Sequence, residues 1–294
     1  MNIVVLGATG VIGRALVPEL TRHHHVIALS RRPPEGSTSV EWHRADALDE
    51  PTLDAPFRSA DIAVYLVHSL GSDEFEDADR RAARNVAQAA ARAGVRQIVY
   101  LGGLGDESSD LSPHLRSRAE TAALLASGST PVTTLRAAMV VGAGSAAFET
   151  ILALVDRLPA MVCPRWVTVP TQPIALRDVV AYLAAVTGMR ESFGQAYDVG
   201  GPDVMTYREM LERIARIRGK RPRIVEVPVL TPRLSSWWLH LVTPVNASVA
   251  RPLVEGLRSP TVVRDDRILE LVPLELTSFD DAVREALRET GSSG

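Results

Sequence analysis

Apolar positions set in at the second residue and change period within a few positions. Residues 3–6 form an unbroken apolar run closed by Gly7, after which Val11-Ile12, Ala15-Leu16-Val17 and Leu20 recur at helical spacing. A short apolar run bounded by glycine predicts a buried strand, and the spacing after it predicts a helix with one apolar face. The alternation then repeats. Further strands are expected at 26–29, 40–46, 60–68, 95–101 and 132–141. Helices are expected after the first strand, as a short segment beyond Asp46, over 77–93 with Gly94 as the stop, and over 113–126. Strands alternating with helices in this way predict βαβ units. The fold class is therefore α/β, a Rossmann-type doubly wound parallel sheet covered on both faces.

Beyond residue 141 the pattern loosens. A helix over 147–158 stops before Pro159, a strand end and helix fill 174–187, and a seventh strand at 195–199 ends at Gly200-Gly201-Pro202. Thr206 is the expected N-cap of a helix running to about residue 218, and a last helix spans 278–288. The expected organisation is a core of residues 1–150, to which 174–200 return. A smaller lobe comprises 151–173 and 201–289 with its closing helix, and 290–294 form a flexible tail. Residues 222–260 carry six prolines together with Trp237 and Trp238. That amphipathic stretch reads as the lobe's own core or, alternatively, as an apolar substrate wall or membrane-surface contact.

Composition narrows the setting. A chain of 294 residues, 46% hydrophobic and 23% charged, can hold one large α/β domain or a domain with a small lobe. A net charge of −3 gives no reason to expect a nucleic-acid partner. The single cysteine, Cys163, rules out an intrachain disulfide framework and fits a reducing compartment. With no signal peptide before the first strand and no transmembrane segment, a cytoplasmic protein is expected. His23, His24 and His25 are consecutive and would point in different directions on a helix. They read as a helix C-terminus, and no metal site is expected.

The strand ends carry the candidate chemistry, because ligands of such sheets bind at the carboxyl ends of the strands. Gly7, Thr9, Gly10, Val11, Ile12 and Gly13 make a tight turn into a helix start without bulky side chains. That geometry offers backbone N–H groups and the positive end of the helix dipole to a pyrophosphate. After the second strand stand Ser30, Arg31 and Arg32, with no carboxylate before Glu35. An acidic residue there would hold a ribose 2′-hydroxyl, whereas arginine suits a 2′-phosphate. NADP(H) is therefore expected over NAD(H), with Arg31 as first choice. Asp46 and Ala47, with Leu48, should edge the adenine. Val67 and His68, followed by Ser69, should lie near the nicotinamide, and Gly102 and Gly103 close the fifth strand.

Gly7-x-x-Gly10-x-x-Gly13, the Asp46 position, the end of the fourth strand and Arg136 in the sixth resemble the extended and atypical short-chain dehydrogenase/reductases. The resemblance is strongest to the atypical branch that includes NmrA-like regulators and the nucleotide-binding accessory subunit of respiratory complex I. Tyr65-Leu66-Val67-His68-Ser69, Leu101-Gly102-Gly103-Leu104 and His114-Leu115-x-Ser117-Arg118 are similar to a bacterial subgroup of NAD(P)-binding oxidoreductase-like proteins. Arg136 through Gly144-Ser145 and Thr231-Pro232-Arg233-Leu234-Ser235 fit it as well. The resemblance covers nearly the whole chain. It implies a serine at the end of the fifth strand and a Tyr-x-x-x-Lys on the helix after it, tyrosine moving the proton and lysine lowering its pKa. Neither is present. The strand ends in Gly102-Gly103, the helix carries His114-x-x-x-Arg118, and the chain's one lysine, Lys220, follows Arg216 by four residues.

His114 and Arg118 are the candidate substitutes. At i and i+4 they share a helix face; the fixed charge of Arg118 would favour a neutral His114, and a neutral imidazole N–H can still polarise a carbonyl. The other reading is that His114 only hydrogen-bonds cofactor or a helix end. Two functions follow. One is an NADPH-dependent reductase of a small apolar carbonyl, enone or quinone-like substrate, with nicotinamide dinucleotide as its partner. The other is a non-catalytic NADP(H)-binding redox sensor or accessory subunit.

Overall fold

The computed structural model describes residues 1–34, 40–68, 75–105, 112–227 and 259–292. In chain order its first half contains β1 (Asn2–Leu6), α1 (Val11–Thr21), β2 (His25–Ser30), β3 (Glu41–Arg44), α2 (Pro51–Phe57), β4 (Ile62–Tyr65), α3 (Phe75–Ala93), β5 (Gln97–Gly103), α4 (Pro113–Ala126) and β6 (Val132–Ala137). There follow β7 (Val140–Val141), α5 (Ala146–Arg157), β8 (Ala160–Pro164), β9 (Pro170–Thr171), β10 (Ile174–Ala175), α6 (Leu176–Val186) and β11 (Ala196–Val199). Then come β12 (Met205–Thr206), α7 (Tyr207–Ile217), β13 (Arg223–Val227), α8 (Arg267–Leu271) and α9 (Phe279–Ser292). Among the described residues no helix is long and apolar enough to cross a membrane.

Seven strands form one parallel sheet in the order β11-β6-β5-β4-β1-β2-β3. This is the α/β, Rossmann-type doubly wound arrangement. Strand side chains alternate between the two faces, and both are covered. Ile3, Val5, Val26 and Val64 pack toward α1 and α6, whereas Val4, Leu6, Ile27, Tyr65 and Tyr100 pack toward α2, α3 and α4. The chain leaves β1 toward β2 and β3, then returns on the other side to β4. Such a reversal opens a crevice at the strand ends, and here it lies between Gly7 and Leu66.

A second core joins α5, α7 and α9, with Phe148, Val155, Met210, Ile214 and Val283 fully or almost fully buried. Thr206 caps α7 as expected, and the structure adds Glu209 as its reciprocal partner in a capping box. Ile268 and Val272 pack instead with the α1/α6 face of the main sheet. The sixth strand departs from its expected length. β6 ends at Ala137, and Val140–Val141 swing out of the sheet to pair with β10. The parallel pairing of β8 with β13 and the antiparallel pairing of β9 with β12 join segments far apart in sequence, which local patterning does not reveal. Trp237, Trp238 and the 231–235 segment lie outside the described residues, as do Glu35 and Ser69.

Candidate active site

The turn after β1 is made by backbone alone. Gly7 has φ 81°, and the Gly10 N–H donates to the Gly7 carbonyl at 3.0 Å. Gly10 caps α1 in an extended conformation with no side-chain bond, and the first turn holds no acidic residue. The N–H groups of Val11, Ile12 and Gly13 therefore precede any intrahelical acceptor, and the dipole's positive end is uncompensated. Gly7 and Gly13 leave no room for a side chain, and Gly10 is tight. A Cβ on Gly13 would lie 2.4 Å from the Gly7 carbonyl oxygen, and one on Gly7 would lie 2.9 Å from the backbone of Leu66. A Cβ on Gly10 would approach the Gly7 oxygen to 3.2 Å. These residues fit the pyrophosphate of a dinucleotide.

That turn borders a cavity of about 630 Å³ at the strand ends, which also brings together Thr9, Ser30, Arg31, Asp46, Ala47, Val67 and His68. Local bonds hold its floor. Asp46 Oδ1 accepts from the Leu48 N–H at 3.0 Å, and Asn85 Nδ2 donates to the Ala47 carbonyl at 2.8 Å. Ser30 Oγ accepts from the Arg32 N–H at 3.1 Å and lies 3.5 Å from Thr9 Oγ1. Arg31 and Arg32 are exposed, and among the described residues no carboxylate pairs with either. Gly102 and Gly103 border a different cavity of about 90 Å³, shared with Arg118 and Arg136.

At the ends of β4 and β5 the polar groups are side chains. Ser112 caps α4, accepting from the Leu115 N–H at 3.3 Å, and Pro113 opens the first turn, so His114 is fixed at the helix start. The rings of His114 and His68 stack with centroids 5.0 Å apart and planes at 28°. His68 Nδ1 lies 3.5 Å from Asp79 Oδ2 on α3, and Ser117 Oγ donates to the same oxygen at 3.2 Å. Arg118 is buried. It donates to the Leu101 carbonyl and lies 4.9 Å from the centroid of Tyr100, whose hydroxyl donates to the Arg118 carbonyl at 3.1 Å.

The two candidate substitutes thus do not act as a pair facing the large cavity. His114 backs onto His68, while Arg118 turns under α4 onto β5. Burial, reinforced by His68 and then Arg118, pushes the His114 pKa down to about 3. The expected effect of Arg118 is present, but desolvation outweighs it. The His68 pKa is also lowered, chiefly by burial, with Asp79 opposing. Burial raises the Tyr65 and Tyr100 hydroxyls. His114 Nδ1, Arg118 Nη1 and the Tyr65 hydroxyl are buried without a hydrogen-bond partner among the described residues. At Gly103, where the strand-five serine is absent, a Cβ would come within 2.9 Å of Leu115 Cδ2, the tip of a side chain.

Asp79 and Ser117 complete this cluster; neither is a candidate site residue in the sequence, where Ser117 appears only within the His114–Arg118 segment. The signal for Asp79 is its spacing. It falls on the buried stripe of α3 with Ala82, Ala83 and Val86, where a carboxylate is out of place. Of the three histidines after α1, His25 opens β2 instead of ending the helix and lies 3.1 Å from Glu41 on β3, while His24 Nδ1 is buried without a hydrogen-bond partner among the described residues and burial lowers the His24 pKa.

A family model described as NAD(P)H-binding matches residues 7–141. The chain is 33% identical over 233 residues to the (4-alkanoyl-5-oxo-2,5-dihydrofuran-3-yl)methyl phosphate reductase of Streptomyces griseus, covering 77% of each chain. It is 25% identical over 301 residues to the mitochondrial NADH dehydrogenase [ubiquinone] 1 alpha subcomplex subunit 9 of Arabidopsis thaliana, covering 94% of this chain and 75% of that one. Among solved structures, the Citrobacter sp. triphenylmethane reductase complexed with NADP(H) superposes with a TM-score of 0.77 at 20% identity, covering 97% of this chain and all of that one.

Proposed function

The chain belongs to the atypical short-chain dehydrogenase/reductases, an NAD(P)H-binding family, and from that membership we propose an NADP(H)-dependent oxidoreductase that reduces a small apolar carbonyl, enone or quinone-like compound. The observation that carries the cofactor preference is Arg31, exposed at the end of β2 in the same cavity as the glycine turn. A guanidinium that pairs with no carboxylate among the described residues suits a 2′-phosphate. In this reading the 7–13 turn holds the pyrophosphate, Ser30, Arg31 and Arg32 hold the 2′-phosphate, Asp46 and Ala47 edge the adenine, and Val67 and His68 adjoin the nicotinamide. When bound, the reduced dinucleotide supplies a hydride.

Of the three substrate types, the enone suits this chain best. A simple ketone leaves an alkoxide, a strong base that calls for an effective acid, and the chain has no Tyr-x-x-x-Lys. Conjugate reduction leaves an enolate, whose charge is delocalised and whose demand on the acid is smaller. The name of the Streptomyces griseus relative describes a ring alkene carrying two carbonyl groups, which is chemistry of this kind.

Melting temperature tests the cofactor assignment. NADPH should raise it more than NADH at equal concentration, because stabilisation follows affinity. Arg31→Asp should reduce the NADPH-to-NADH affinity ratio by about tenfold or more, the loss of one charge-assisted contact. Equal shifts in the wild type would remove Arg31 from the assignment. A panel of enones, ketones and quinones then tests turnover.

The second reading, a redox sensor or accessory subunit without turnover, draws on the absent tyrosine–lysine pair and on a His114 kept away from the large cavity. NADPH binding with no oxidation across the panel would favour it.

A further inference from the structure

We propose that His68 is the proton-exchanging residue of this site and that Asp79 is its positioning residue. The inference rests on the redox reading above and assigns the proton within it.

Two histidines compete for the role, and access separates them. His68 lines the large cavity, and its side chain keeps 26% exposure. His114 does not border that cavity, and its Nδ1 is buried without a partner. A proton donor has to reach the substrate and be refilled from solvent. His68 meets both requirements, and His114 is the surface on which its ring stacks.

Among the described residues, His68 and not His114 has a carboxylate within 4 Å. Asp79 is 1% exposed, and its Oδ2 is held by the Ser117 hydroxyl from α4. Its 3.5 Å approach to His68 Nδ1 is long for a hydrogen bond, and contacts of this kind shorten when a site closes on its ligand. A carboxylate there selects the tautomer protonated on Nδ1, stabilises the imidazolium, and leaves Nε2 as the nitrogen for the cavity. Among the described residues the charged and titratable groups acting on His68 are Asp79 from α3 and Arg118 and His114 from α4. Asp79 favours the charged ring. Arg118, His114 and burial oppose it, so the resting imidazole is neutral near pH 7 and its conjugate acid gives up a proton readily.

Beyond what the dinucleotide supplies, reduction of a conjugated carbonyl requires one proton. The Nε2–H bond of protonated His68 breaks, its electron pair stays on nitrogen, and an O–H bond forms at the enolate oxygen. That Nε2 proton comes from a hydronium ion of the solvent entering the cavity, which protonates the neutral ring before each transfer and leaves water, so each reduction consumes one solvent proton. In the oxidising direction Nε2 accepts the proton instead.

Histidine NMR titration of the ligand-free protein tests the pairing without any turnover. Asp79→Asn should lower the His68 pKa by about one unit, a tenfold change in protonation, and Asp79→Glu should restore most of it. An unchanged His68 pKa in a folded Asp79→Asn protein overturns the positioning role. With saturating NADPH and a reducible enone, His68→Asn should lower kcat by about 100-fold. Unchanged kcat overturns His68 as the proton donor. Asp79→Asn should move the alkaline limb of the kcat profile, where the protonated donor is lost, to lower pH with the measured His68 pKa, and a profile that stays in place overturns the coupling. If the wild type fails to bind NADPH, the redox reading falls, and the ligand-free titration still decides whether Asp79 sets His68.

Discussion

At the β1 end of the crevice the groups offered to a ligand are backbone N–H groups and exposed side chains. At the β4–β5 end they are side chains turned inward on one another. The first region is the Gly7–Gly13 turn with Ser30, Arg31 and Asp46. It has a fixed shape, faces a large cavity and leaves its donors uncommitted. The second is the group of His68, Asp79, His114, Ser117 and Arg118, packed between α3, α4 and the sheet. The contrast follows from physics. A pyrophosphate carries its own charge and needs only oriented amides, which a short glycine turn provides. Proton exchange needs a titratable group whose pKa is set by its surroundings, and those have to be assembled from several elements.

The sharpest way to break the first region is Gly13→Ala. Its Cβ would sit 2.4 Å from the Gly7 carbonyl oxygen and 2.7 Å from the Ala8 Cα, both backbone atoms of the turn itself. Neither can rotate away, so α1 has to lift or the turn has to open. The expected loss is about 3 kcal/mol of stability, the upper part of the range for overpacking, together with NADPH-induced stabilisation. Chemical denaturation with and without NADPH measures both. A variant as stable as wild type with its NADPH shift intact would mean the turn is not a rigid cradle.

The second region should respond to pH where the first does not. His114 has a folded pKa near 3 against the ordinary 6.5. A histidine held neutral in the folded state adds stability that is fully present above about pH 6.5 and is lost as pH falls toward 3, because the unfolded chain takes up the proton first. One such group gives at most about 1.4 kcal/mol per pH unit. His114 keeps part of its surface exposed, so a slope of about 1 kcal/mol per unit between pH 6 and 4 is the expectation. His114→Gln removes the titration and should flatten the stability profile over that window. An unaltered profile would mean that His114 is not held neutral by burial.

The same contrast explains what could be read in advance. The glycine turn was legible because φ near +80° and a missing Cβ each demand one residue type, and the spacing repeats that demand. Arg31 and Asp46 were legible by position, since strands two and three end there. Asp79 was not, because α3 is rich in charge and its inward stripe shows only once it docks on β4 and β5. For Arg118 the helix face was legible, but not the turn of its guanidinium under α4 onto the Leu101 carbonyl. The bend that separates β6 from β7 was hidden for a similar reason. Val140 and Val141 look like more strand, and only pairing with Ile174 and Ala175, more than thirty positions on, draws them away.

Gly103→Ser asks whether the second region is packed as rigidly as the first, and it carries the smallest expected effect. Here the obstacle to a Cβ, at 2.9 Å, is Leu115 Cδ2, the tip of a side chain rather than a carbonyl oxygen. Leu115 lies in the first turn of α4, almost fully buried, and can shift by a few tenths of an ångström or change rotamer. That adjustment costs about 1 kcal/mol, roughly a third of the expectation for Gly13→Ala. A chain of this length should then lose about 2–4 °C in Tm. The substitution also restores a hydroxyl at the strand-five end, where the wider family carries its serine. A loss as large as that of Gly13→Ala would show α4 clamped onto β5 as firmly as the turn is clamped onto itself. In that case the serine would be excluded by the rigidity of this interface, and the departure from the tyrosine–lysine machinery would begin with helix packing rather than with the loss of the catalytic pair.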